Sequence, residues 1–268
     1  MNQQLHGVSE TMLIPLWARA EETRRKHPII RDEKAVTIVQ GMDYDFGKFR
    51  NAWLTQVGVS VRSMLLDEAA ERFLRLRKNV VVINLGAGLD TRFERLNCEA
   101  VAHWYDVDVP EGIALRRRYF SEGPNNTFIA ASMFDEGWLD AVEDSGEHVL
   151  IIAEGLLMYF TEDELKPLFR RLAERFPHAE MLIELLPPFL VGKGKKHESV
   201  SKVGDAPEFK WSPRKTRELE TWHNAIQFVE EWNLYDYHKG RWKWFGYLGR
   251  MPVLRPRLAC RIARLRFS

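Results

Sequence analysis

Residues 79–93 read NVVVINLGAGLDTRF. The β-branched apolar run from Val80 to Leu85, stopped by a glycine, is the pattern of a strand buried on both faces of a parallel sheet. Gly86, Ala87 and Gly88 follow in G-x-G spacing. The first glycine permits a sharp turn from strand to helix, and the second removes a side chain where the backbone must approach a ligand. A dinucleotide loop would carry a third glycine next, but this chain has Asp90 and Thr91. An acid there repels a pyrophosphate and suits an adenosine ligand that carries a cation; as a plain N-cap, Asp90 would need no ligand.

Working outward, short apolar runs predict strands at 80–85, 101–107, 127–131, 149–153 and 181–186, alternating with helical patterns. That alternation predicts an α/β fold with a mostly parallel, doubly wound sheet. The best-signalled helix follows the fourth strand: Thr161 and Glu164 form a T-x-x-E capping box, and Leu165, Leu168, Phe169, Leu172 and Phe176 recur at helical spacing. Helical stripes also predict helices at 9–25, with Pro15 tolerable only near the start, at 32–40 and at 60–76. The stretch WYDVDVP sets two acids about twenty residues beyond the glycines, where a ribose-binding carboxylate belongs; Asp108 is the first choice and Asp106 the second. The alternative is that both acids merely open the next helix, with Pro110 at its first position. Residues 185–215 are rich in Pro, Gly, Ser and Lys and lack periodicity, which suits a lid. Five of the nine tryptophans, Trp211, Trp222, Trp232, Trp242 and Trp244, follow, as core of that lid or as a stacking surface for a flat substrate.

A net charge of +1 over 268 residues excludes a generally basic nucleic-acid binder. Only Cys98 and Cys260 occur, so no disulfide framework and no C-x-x-C metal or redox site is expected. The start, MNQQLHGVSE, has no leader pattern, and no apolar run is long enough for a membrane span. A cytoplasmic protein is expected, with 1–78 as a helical cap, 79–186 as a cofactor-binding core and 187–268 as lid and substrate region of one domain.

INLGAGLDTRF, YDVDVP and AEGLLMYFTEDEL, in that order and spacing, resemble the signature blocks of the leucine carboxyl methyltransferase family, in particular its bacterial polyketide-type O-methyltransferases. LWARAEETRRKHPIIRDEKA and the arginine of VSVRSMLLDEA are similar to that family too. The resemblance implies a Rossmann-like class I methyltransferase fold binding S-adenosylmethionine. It implies that Arg62 holds the methionine carboxylate, that the loop of Gly86, Ala87 and Gly88 passes beneath the methionine portion, that Asp108 takes the ribose hydroxyls, and that Glu154 stands beside the cofactor. Without the family, Arg62 reads as a solvated helix charge and Glu154 as half of a buried ion pair. The family's acidic residue after the third strand is replaced by Ser132, leaving one hydroxyl and the Met133 amide for adenine.

Methyl transfer needs alignment of acceptor oxygen, methyl and sulfur more than it needs proton transfer. A carboxylate is already ionised at neutral pH, whereas a phenol would want a base. Candidates facing a small-molecule acceptor are Tyr159, Arg92, His223 and Arg241; their bland alternatives are a core aromatic for the first and surface or structural roles for the others. The tail LRPRLACRIARLRFS holds five arginines and no acid, as a solvated helical end or as a docking surface for an acidic carrier protein or lipid headgroup. A protein C-terminal carboxylate as acceptor, a nucleotide-dependent oxidoreductase and a non-catalytic S-adenosylmethionine-binding protein are the competing readings.

Overall fold

A computed structural model describes residues 7–143, 148–258 and 260–268. Residues 1–6, the first part of the stretch without a leader pattern, lie outside the described residues. Four helices come first, α1 (Gly7–Glu10), α2 (Leu13–Thr23), α3 (Glu33–Gly41) and α4 (Trp53–Arg75). The stripe expected at 9–25 breaks between α1 and α2, and Pro15 falls in the first turn of α2, where its missing N–H costs no helical bond. The helix expected at 60–76 begins seven residues earlier; its stripe of Val61, Leu65, Ala69 and Phe73 is buried as the spacing requires.

The core alternates β1 (Val80–Leu85), α5 (Arg92–Arg95), β2 (Val101–Asp108), α6 (Pro110–Arg116), β3 (Asn126–Ala130), α7 (Gly137–Ala141), β4 (His148–Ala153), α8 (Glu162–Arg175) and β5 (Glu180–Leu185). Beyond β5 come short helical turns, β6 (Ile226–Asn233), α9 (Phe245–Arg250), α10 (Arg255–Leu258) and β7 (Arg261–Phe267). The seven strands lie in the order β3-β2-β1-β4-β5-β7-β6, with β1 to β5 parallel and β7 antiparallel to both its neighbours. Each of the five expected strands is present to within one residue.

Period two divides β1 between two cores. Val81, Ile83 and Leu85 pack with α8, whereas Val80 and Val82 pack with α4. Thr161 Oγ1 accepts the Glu164 N–H and Glu164 Oε2 accepts the Thr161 N–H at 2.7 Å, closing the expected capping box. Trp222 packs against Phe169 of α8 and Trp211 against Trp222, so part of the tryptophan cluster is core.

The glycine turn leads into the four-residue α5, where Asp90 accepts from the Arg92 N–H and from its guanidinium. One expectation is corrected in part. Only the first part of the basic tail is a solvated helical end, the exposed α10 with Arg255 and Arg257; residues 261–267 are a strand whose Ile262, Ala263, Leu265 and Phe267 have no exposed surface. Its arginines meet acids on neighbouring strands, Arg264 with Glu180 at 3.1 Å and Glu230 at 2.9 Å, and Arg266 with Glu180 at 3.3 Å. A docking surface for an acidic partner thereby loses these charges to the sheet.

Candidate active site

The strand order reverses between β1 and β4, and open α/β sheets bind ligands in the crevice at the carboxyl ends of such a pair. A cavity of about 770 Å³ lies there, in the upper part of the range for small-molecule sites. Gly86 and Ala87 donate their N–H groups to the Val107 carbonyl, at 2.8 and 3.2 Å, which ties the loop to β2. Gly86 has φ 65°, and a Cβ on it would stand 2.8 Å from Leu156 Cδ1; Gly88 has φ 46°, and its Cβ would stand 3.0 Å from Met12 Cβ. Only glycine fits both positions without displacement.

Asp108 closes the same loop. Its Oδ2 accepts the Gly88 N–H at 2.6 Å and its Oδ1 the Val109 N–H at 2.7 Å. Burial pushes its carboxyl above the usual range, against the pull of those two N–H groups. It lines the cavity, and Asp106 does not. Asp106 is fully buried and accepts from Asn84, Trp104, Arg116 and Asn126.

An ionic network underlies the cavity. Glu154 Oε1 accepts Arg62 Nε at 2.8 Å and Ser63 Oγ at 3.0 Å, while Oε2 accepts Arg92 Nη2 at 2.6 Å. Burial raises the Glu154 carboxyl, but Arg62, then Arg92 and Arg19, outweigh it and hold the group far below the usual carboxylate range. Glu184, near the end of β5, binds Arg62 Nη1 through both oxygens, at 2.9 and 2.8 Å, and accepts the Gly155 N–H at 2.8 Å. Arg62 therefore has Nε and Nη1 committed, and among the described residues Nη2 has no hydrogen-bond partner. Gly155, at φ 66°, makes room for it: a Cβ there would lie 3.2 Å from Nη2.

Arg92 is placed differently from the acceptor-facing role expected of it. Its Nε binds Asp67 at 2.7 Å, Nη1 binds Asp90 at 2.5 Å and Nη2 binds Glu154 at 2.6 Å, and the residue is 1% exposed. All three nitrogens are spent on neutralising buried acids. Asp90 does line the cavity, but Arg92 and Arg95 flank it; burial raises its carboxyl and the two arginines more than reverse that. Its charge thus reaches the cavity largely compensated.

Tyr159 lines the cavity, its ring 5.7 Å from Phe209, and burial pushes its phenol up to about 12. His223 and Arg241 are not brought to it. His223 Nε2 stands 3.7 Å from Glu174 on α8, and Arg241 grips buried Glu22 at 2.9 and 2.6 Å beside a separate hollow that includes Trp53. Ser132 and Met133 are also outside the cavity lining; Ser132 Oγ accepts the Phe134 N–H at 3.2 Å.

Several cavity-lining groups are not singled out by the sequence. Arg19 of α2, within the family-like stretch LWARAEETRRKHPIIRDEKA but one of several arginines there, binds Asp32 at 2.7 Å and the Leu89 carbonyl at 2.9 Å, beside the glycine loop. His197, Glu198 and Lys196 come from the aperiodic stretch after β5, and Cys260 lies next to Glu184, which with burial drives its thiol far above the usual range.

The sequence profile described as leucine carboxyl methyltransferase matches residues 12–173. The tetracenomycin polyketide synthesis O-methyltransferase TcmP of Streptomyces glaucescens is 34% identical over 233 residues, covering 87% of this chain and 85% of that protein. The S-adenosyl-L-methionine-dependent methyltransferase dpfgK of Gibberella zeae is 28% identical over 271 residues, covering 92% and 90%. Among solved structures, a DUF574 family protein from Streptomyces avermitilis superimposes with a TM-score of 0.56 at 12% identity, covering 96% of this chain and 97% of its own. An S-adenosylmethionine-dependent methyltransferase from Mesorhizobium loti gives 0.51 at 11% identity, covering 74% and 96%.

Proposed function

Because this chain belongs to the leucine carboxyl methyltransferase family, we propose that its cavity holds S-adenosylmethionine at the carboxyl ends of β1, β2 and β4, beside a small apolar acid that receives the methyl group. The chain is an S-adenosylmethionine-dependent methyltransferase with a Rossmann-like class I fold. The cofactor supplies an electrophilic methyl group on a sulfonium; the protein supplies binding and alignment. Asp108 would take the ribose hydroxyls, and Gly86, Ala87 and Gly88 the methionine backbone. The free Nη2 of Arg62, with Arg19, would hold the methionine carboxylate, a planar anion suited to guanidinium donors.

The carrying observation is continuity: one cavity joins this polar loop region to a wall of Ile14, Val59, Met158, Tyr159, Val200 and Phe209. Its lining also includes Phe189 and Trp244, respectively 41% and 59% exposed, an apolar entrance for a flat molecule. A polyketide-like acid matches such a wall, in keeping with the name of the Streptomyces glaucescens relative. A carboxylate acceptor is favoured over a phenol because the nearby groups are poor bases. Tyr159 and Cys260 hold their protons tightly, and the carboxylates of Glu154 and Glu184 are committed to Arg62. We further propose that the helical cap, the sheet and the C-terminal segments act as one catalytic unit, in the cytoplasm. Among the described residues no helix is long and apolar enough to cross a membrane.

Calorimetry with S-adenosylmethionine, S-adenosylhomocysteine and NADH tests the cofactor assignment. The two sulfur ligands bind and NADH does not; NADH binding without them would overturn it. Asp108→Ala loses on the order of 1.5–3 kcal/mol of sulfur-ligand affinity through charge-assisted hydrogen bonds. Unchanged affinity in the folded variant would remove Asp108 from the ribose site.

A further inference from the structure

His197 lines the cavity, in a loop fastened to the first turn of α4. Glu198 Oε1 accepts the Thr55 N–H, an otherwise unpaired donor at the start of a helix, and Thr55 Oγ1 lies 3.1 Å from Ser199 Oγ. The imidazole, one residue before these anchors, meets Phe209 edge-on at 5.6 Å. Its Nδ1 lies 3.5 Å from the Val200 N–H and 3.2 Å from Ser199 Oγ. A backbone N–H can only donate, so Nδ1 is the accepting nitrogen and the ring proton of the neutral imidazole sits on Nε2. Burial and then the charge of Arg62 push the imidazole down to about 4, so it is neutral at physiological pH. Among the described residues Nε2 has no hydrogen-bond partner.

Helix α4 also sets this group relative to the cofactor region. Thr55, Gly58, Val59 and Arg62 all line the cavity, at spacings of three, four and seven residues that share one helical face. Thr55 anchors the His197 loop at one end and Arg62 stands at the other, about 10 Å along the axis at 1.5 Å per residue. A single rigid element therefore holds the histidine at a fixed distance from the ion-paired arginine.

We infer that His197 seats the acceptor, its Nε2–H donating to one oxygen of the substrate carboxylate while the other oxygen is left free to attack. That free oxygen forms the new O–CH₃ bond with its own electron pair as the S–CH₃ bond breaks and its pair returns to sulfur. An anion and a sulfonium become a neutral ester and a neutral thioether, and no proton moves. In this tautomer His197 presents an N–H and no lone pair to the acceptor, which suits a carboxylate rather than a phenol that needs a base. Lys196, exposed at the cavity wall, adds a cation on the anion's route in.

This inference rests on the methyltransferase reading above, and the test keeps the two apart. The protein is saturated with S-adenosylhomocysteine, and binding of 2-naphthoate and anthraquinone-2-carboxylate is measured beside 2-naphthol and 2-hydroxyanthraquinone, in wild type, His197→Ala and His197→Gln. At least one carboxylate should bind more tightly than its hydroxyl counterpart. His197→Ala should weaken it tenfold or more, and His197→Gln, which keeps an N–H near the Nε2 position, should recover part of the loss. Affinity for S-adenosylhomocysteine should stay within twofold in both variants, which also reports that they are folded. Failure of both carboxylates to bind, tighter binding of the hydroxyl compound in both pairs, or unchanged carboxylate affinity in His197→Ala would overturn the role of His197. Failure of wild type to bind S-adenosylhomocysteine would instead overturn the cofactor reading.

Discussion

Glu154 shows how a buried carboxylate is kept charged beside a ligand cavity. Burial alone would raise its pKa, but Arg62 and Arg92 donate to its two oxygens and hold it below that of the unfolded chain. A carboxyl whose folded pKa is depressed contributes stability above its unfolded value, near 4.3, and loses it as the pH falls toward the folded value. Glu154→Gln should therefore cost on the order of 1.5–3 kcal/mol at pH 7 in urea unfolding. The difference from wild type should shrink as the medium is acidified from about pH 5 to about 3.5. A gap that stays constant would mean that charge is not what Glu154 contributes. The same network explains why the role of Arg92 is illegible in the sequence. Its partners Asp67 and Glu154 lie 25 residues before and 62 after it, and only the fold brings them together.

Elements were legible where their stability is local. The box at the start of α8 needs only Thr161 and Glu164, three residues apart, and it forms as the spacing requires. Thr161→Ala should lower stability by about 1 kcal/mol while leaving methyl-donor affinity unchanged. A loss of affinity in that variant would show that α8 reports to the cavity. Strands β1 to β5 were equally legible as short apolar runs, and β1, β4 and β5 are buried along nearly their whole length, a pattern that needs no partner to be recognised. β6 and β7 were not. Glu230 and Glu231 interrupt the apolar pattern of the one, and Arg264 and Arg266 that of the other, so each strand alone reads as a solvated segment. Paired, the charges answer each other across the sheet. His197 was hidden for a third reason: it sits in an aperiodic, lysine-rich stretch, where contacts distant in sequence, to α4 and to Phe209, give it a fixed place.

At the scale of the molecule, β7 holds the C-terminal segments to the methyltransferase core. It lies between β5 and β6, and Ile262, Leu265 and Phe267 are completely buried. Those three side chains alone are worth about 1.5–3 kcal/mol each, comparable in sum with the whole net stability of a domain. A variant ending before residue 261 should therefore fail to fold, rather than persist as a cofactor binder without its basic tail. Circular dichroism and thermal melting would decide it: a cooperative transition in the truncated protein would mean that β5 tolerates an open edge. The placement of β7 also has a consequence for synthesis. Parallel β1 to β5 are complete by residue 185 and β6 by residue 233, yet the strand that joins them is made only afterwards. Until residue 267 leaves the ribosome, both β5 and β6 present unpaired edges to the cell, so the sheet closes late and the nascent chain is most open to aggregation in that interval.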